Sequence, residues 1–156
     1  MKALIKPCLE RHLPDKAKPG NRIAAETWFA AAAAHIKTAT LVLDDDANGS
    51  MLLGWAAMHK TAKGIAALGG CRLDNETHGK IVDFLCCVFV ELTDNEKGLV
   101  RAASTGRNAG SYDDPTSTDP YLCQQVITLA SRLLAGARTG ELPTAPQKRI
   151  PPPPLA

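Results

Sequence analysis

Apolar residues recur in this chain every three or four positions through five successive stretches, and nowhere do they alternate with period two over a useful length. The first spacing wraps one face of an α-helix, whereas the second would line one face of a strand. A chain patterned this way buries its stripes by packing helix on helix. The expected fold is therefore all-α, an up-and-down bundle of four to five helices with mostly short connections. Aromatic residues make up only 4% of the chain and alanine is abundant, which suits close-packed helices better than strands rich in Val, Tyr and Phe.

Each stretch carries its own punctuation. The first spans about residues 21 to 47, with Phe29, Ala33, Ile36, Thr40 and Leu43 on one stripe and Asp44-Asp45-Asp46 closing it. That acidic triplet reads as a solvated helix end rather than a magnesium site, because three consecutive helical residues cannot all face one ion. The second, about 50 to 68, aligns Met51, Trp55, Met58, Ala62, Ile65 and Leu68 and stops at Gly69-Gly70. The third, about 75 to 92, uses Ile81, Phe84, Leu85, Val88 and Leu92. Thr93 and Glu96 form a capping box that starts the fourth. Asp119-Pro120 is an N-cap and first-turn pair for the fifth, striped by Leu122, Val126, Leu129, Leu133 and Ala137.

With 156 residues and no internal repeat, the chain reads as one domain. Residues 21–140 are the expected bundle. Residues 1–20, with Pro7, Pro14 and Pro19 among mixed charges, read as a flexible N-terminal tail, and residues 141–156, ending PPPPLA, as a Pro-rich disordered C-terminal tail. The net charge of +2 neither predicts nor excludes a nucleic-acid partner. The longest apolar run, Phe84 to Val90, is far shorter than the roughly 18 to 20 residues that span a bilayer, and Pro7, Glu10 and Arg11 interrupt the place of a signal peptide. No membrane association and a cytoplasmic location are expected. Five cysteines without a C-x-x-C pair read as free, mostly buried thiols, not a disulfide framework.

Chemistry concentrates in RAASTGRNAGSYDD, residues 101–114. Val100, Ala103 and Arg107 share one helix face, so a charge sits where the apolar stripe should continue. Asp113-Asp114-Pro115 ends the helix. Arg is suited to grip a phosphate bidentately, Asn to orient it, and Tyr to donate a hydrogen bond or stack. Arg107, Asn108 and Tyr112 are thus the candidate catalytic residues, and Arg101, Asp113 and Asp114 candidate ligand-binding ones. The alternative is that Arg107 pairs with Asp113 or Asp114 merely to close the helix end. Among the histidines, His35 and His59 read as packing or capping groups within helices. His78, near the start of the third helix, is placed to reach a neighbouring site and joins the ligand-binding set. No phosphate loop, nucleophile elbow or helical metal pair occurs, so no cofactor and no metal are expected.

The order of a long first helix, the WAAMHKTAKGIAALGG helix, a short loop, THGKIVDFL and then RNAGSYDD resembles the HEPN domains, helical bundles of toxin–antitoxin and RNA-processing systems. The resemblance covers roughly residues 21–140. Arg107 and Asn108 match the family's Arg-polar signature, and Tyr112 stands where His is usual, as in a branch reading Arg-Asn-x-x-x-Tyr-Asp. The resemblance implies a homodimer whose two motifs face each other across a groove, with metal-independent RNA cleavage in active members. It also implies a possible antitoxin or nucleotidyltransferase partner. A phenol with a reference pKa of about 10 exchanges protons at neutral pH far less readily than imidazole at about 6.5, so Tyr112 is suited to orienting, stacking or modification. The expected function is RNA or nucleotide binding, with possible ribonuclease activity. The rival is a non-catalytic helical protein-interaction module.

Overall fold

The computed structural model describes residues 1–13, 18–73, 78–109 and 118–144. Six helices occupy them: α1 (Lys2–His12), α2 (Arg22–Val42), α3 (Ala47–Leu68), α4 (His78–Val88), α5 (Asp94–Ala109) and α6 (Pro120–Thr139). The all-α expectation is met, with one helix more than the four to five expected. Two-residue segments β1 (Lys18–Pro19) and β2 (Cys71–Arg72) pair antiparallel, which ties the entrance of α2 to the exit of α3. Among the described residues no helix is long and apolar enough to cross a membrane.

The additional helix is α1, within the segment expected to be a flexible tail. Ile5, Cys8, Leu9 and Leu13 are buried, and α1 packs on α3 and α4. A disulfide joins Cys8 to Cys87 of α4. Two of the five thiols expected to be free are therefore bonded, while Cys71, Cys86 and Cys123 remain as thiols. The reason the sequence misled is that Pro7, in the middle of α1, removes one backbone hydrogen bond and signals a break, whereas the buried face of Ile5, Cys8 and Leu9 holds the helix against α3 and α4.

Helix α2 begins at Asn21, whose side chain accepts a hydrogen bond from the Ala24 N–H at 2.8 Å. Its buried face is Ala25, Phe29, Ala32 and Ala39, with Thr40 exposed and Ala33 half-buried. The phase thus differs by about one position from the expected stripe, because five alanines at 30–34 offer no contrast between faces. The helix also ends earlier than expected. Asp46 caps α3 by accepting from the Gly49 N–H at 2.8 Å, so the last acidic residue of the triplet starts a helix instead of closing one.

Helix α3 is the central element, packed against α1, α2, α4, α5 and α6. Met51, Trp55, Met58, Ala62 and Ile65 are buried as expected, while Leu68 sits at the margin with 36% of its surface exposed. Burying each large side chain contributes about 1.5–3 kcal/mol. The crossing with α2 is close at Gly64, where a Cβ would lie 2.2 Å from Phe29 Cε1. Helix α6 starts on Asp119, which accepts from the Tyr121 N–H at 2.9 Å, and ends on left-handed Gly140.

The capping box at the start of α5 forms as expected. Thr93 N–H donates to Glu96 Oε2 at 2.9 Å, and Glu96 N–H donates to Thr93 Oγ1 at 3.2 Å. Glu96 also pairs with Arg132 of α6, whose Nε donates to the Pro143 carbonyl at 2.8 Å, so one guanidinium holds α5, α6 and the chain beyond α6 together. Burial acts to raise the Glu96 pKa, but hydrogen bonds from Thr93 and Arg132 outweigh it and hold the carboxyl below its ordinary value. A lowered carboxyl contributes stability that is complete above its unfolded pKa and is lost as pH falls through the folded one. Glu96→Gln is expected to cost roughly 1–2 kcal/mol at neutral pH and to flatten the acid limb of stability. Urea midpoints against pH check this; an unchanged acid limb would show the pair to be idle.

Candidate functional site

Three polar side chains of α5, those of Arg101, Ser104 and Thr105, face α4. Arg101, Ser104, Thr105 and Asn108 follow i, i+3, i+4, i+7 spacing within Asp94–Ala109. Helix α4 lies against this face, and Gly79, Val82, Asp83, Arg101, Ser104 and Thr105 line a depression of about 270 Å³ between the two helices. Arg101 is exposed at its edge and Ser104 is buried in its wall. The Thr105 hydroxyl donates to the Arg101 carbonyl at 3.0 Å, so it presents a lone pair and a methyl outward.

His78 opens α4 beside Gly79, and its ring is held from below. Trp55 of α3, 2% exposed, donates its indole N–H to His78 Nδ1 at 3.0 Å. His59, one turn along α3, lies parallel to the Trp55 ring with centroids 6.2 Å apart, and the two imidazole centroids are 6.0 Å apart. An acceptor at Nδ1 places the proton of neutral His78 on Nε2. The tryptophan is thus both a core residue and the group that sets the tautomer of the histidine that opens α4.

Cys86 belongs to the same neighbourhood. Burial pushes its thiol pKa up, with Arg101 and Lys97 pulling it down and Asp83 adding to the rise. A thiol kept protonated at neutral pH is a poor nucleophile. Asp83 also places a carboxylate in the depression, where it balances part of the Arg101 charge.

Of the residues expected from the sequence, Arg101 lines the α4–α5 depression, whereas His78 opens α4 against Trp55 and His59 of α3. Arg107 and Asn108 lie in the last turn of α5. Position 108 shares the face of Arg101, whereas position 107 shares the face of fully buried Val100 and Ala103. Tyr112, Asp113 and Asp114 lie outside the described residues, and so does any pairing of Arg107 with them. Sequence reasoning missed Ser104, Thr105, Asp83, Trp55 and His59. The polar spacing along α5 and the i, i+4 spacing of Trp55 and His59 were available signals. Their convergence on α4 was not, because it depends on how the helices dock.

No protein-family model matches the chain, and no curated protein or solved structure matches it.

Proposed function

We propose that this is a HEPN-like helical protein that binds RNA or a nucleotide on its α4–α5 face. The observation that carries the reading is the run of Arg101, Ser104 and Thr105 along α5, which faces Gly79, Val82 and Asp83 of α4 across a depression. A guanidinium at the rim can take two phosphate oxygens, while the Thr105 hydroxyl adds a positioning contact. His78 stands at the positive end of the α4 dipole, which favours an anion there. The mostly helical architecture is compatible with the family resemblance, which itself rests on the sequence. In the ribonuclease form of this reading, His78 supplies from α4 the imidazole that Tyr112 does not.

Arg101→Ala is expected to weaken binding of a short single-stranded RNA about tenfold to hundredfold, the loss of one charge-assisted contact, while leaving the melting temperature unchanged. Fluorescence anisotropy against salt measures it. Equal affinity in parent and variant would remove Arg101 from the site, and no binding by the parent would favour the interaction-module reading. Location bears on the same chemistry. A cytoplasmic home was expected from the sequence, yet a Cys8–Cys87 bond persists in oxidising surroundings and is a dithiol in a reducing cytosol.

A further inference from the structure

Helix α2 turns its outer face to solvent, and that face is not polar. Ile23 and Leu41 are 79% and 70% exposed, and Thr27, Ala30, Ala34 and Lys37 between them are exposed too. Their 4-3-4-3-4 spacing makes one straight stripe opposite the buried face of Ala25, Phe29, Ala32 and Ala39. The hydroxyls of Thr27 and Thr38 donate to the carbonyls of Ile23 and Ala34 at 3.1 Å, which leaves their methyl groups to face outward.

The stripe is self-complementary about its midpoint. Turned end for end, an identical helix sets Ile23 against Leu41, Thr27 against Lys37 and Ala30 against Ala34, with small residues where the backbones would come closest. The flanking charges follow the same symmetry. Arg22, Glu26, Lys37 and Asp44 all lie along one edge of α2 and its exit, and the reversed copy brings Glu26 to Lys37 and Arg22 to Asp44, each pair twice. Among the described residues none of these four is engaged in an ion pair.

We propose that a second copy of this chain occupies the face, with the two α2 helices antiparallel and related by a two-fold axis near residue 32. This goes beyond the RNA-binding reading and does not rest on it. Helices α2 and α5 each pack on α3 and α6, and α2 makes no extensive contact with α5. The dimer therefore carries two separate α4–α5 faces, in contrast to the single composite groove that the family resemblance implies. One helix pair is a small interface, so a dissociation constant on the order of 10 µM is expected.

Sedimentation velocity of the full chain across that concentration range tests the proposal. The mass should rise from 16.6 kDa toward twice that value. Ala34→Arg should hold the chain monomeric without lowering its melting temperature in dilute solution, since position 34 is exposed. Glu26→Lys and Lys37→Glu should each weaken the dimer about tenfold, and the double variant should restore it. A monomer at every concentration overturns the proposal. So does a dimer indifferent to Ala34→Arg, while a double variant that fails to recover overturns the antiparallel register.

Discussion

Replacing Cys8 by Ser is expected to lower the melting temperature of the oxidised protein by roughly 8–16 °C. The Cys8–Cys87 bond closes a loop across 79 positions of sequence. In the chain-entropy account, a loop of that length restricts the unfolded chain by about 4 kcal/mol, and in a chain of this size each kcal/mol moves the midpoint by about 2–4 °C. Deleting residues 1–13 should cost at least as much, because Ile5, Leu9 and Leu13 leave the core with the bond. Calorimetry with and without reductant measures both, after alkylation of the denatured, unreduced chain has shown three free thiols, Cys71, Cys86 and Cys123, in place of five. A shift under about 3 °C in the verified oxidised protein would mean that α1 is an ornament on the bundle.

The second large effect falls where core and site share a residue. Trp55→Ala should destabilise the fold by about 3–5 kcal/mol, as expected for emptying a fully packed aromatic position. Trp55→Phe keeps most of the ring and deletes the N–H that His78 Nδ1 accepts, so it should cost only about 1–2 kcal/mol. The two variants separate packing from positioning. If Trp55 orients His78 toward a bound phosphate, Trp55→Phe also weakens RNA binding or alters its pH dependence while the protein stays folded. Urea denaturation together with RNA titrations from pH 5 to 8 provides the test. Binding unchanged at every pH would reduce the Trp55–His78 contact to a structural one.

Local signals in the sequence were the dependable ones. Thr93 and Glu96 announce their capping box, and Asp119-Pro120 its helix start, because caps involve residues three or fewer apart. Contrast along a helix mattered as much. The helical spacing of the large residues Met51, Trp55 and Met58 locates a buried face of α3, but the alanines at 30–34 leave the phase of α2 undetermined until α3 and α6 pack on it. Asp46 shows the limit of reading one acidic run as one event, since the chain turns within it. Helix α1 was lost to Pro7 and to a stripe only a few residues long. The Cys8–Cys87 bond was lost with it, because nothing local relates positions 79 apart.

The candidate site divides in the same way. The polar stripe on α5 is written in its spacing, and Arg101 and His78 were picked out on residue chemistry alone. The cradle of Trp55 and His59 beneath His78 exists only once α4 docks on α3. Arg107 keeps its place on α5, but its backbone position turns toward the apolar side of that helix, and position 108 falls two turns along the face of Arg101.

The central claim is that the α4–α5 face receives the ligand, and amide-shift mapping tests it most directly. A short single-stranded RNA is titrated into the isotopically labelled full chain while the backbone resonances are followed. Saturable shifts are expected at residues 78–83 and 101–108, abolished by Arg101→Ala. Shifts confined to α2 or α6, or none at RNA concentrations well above those of the protein, would contradict it.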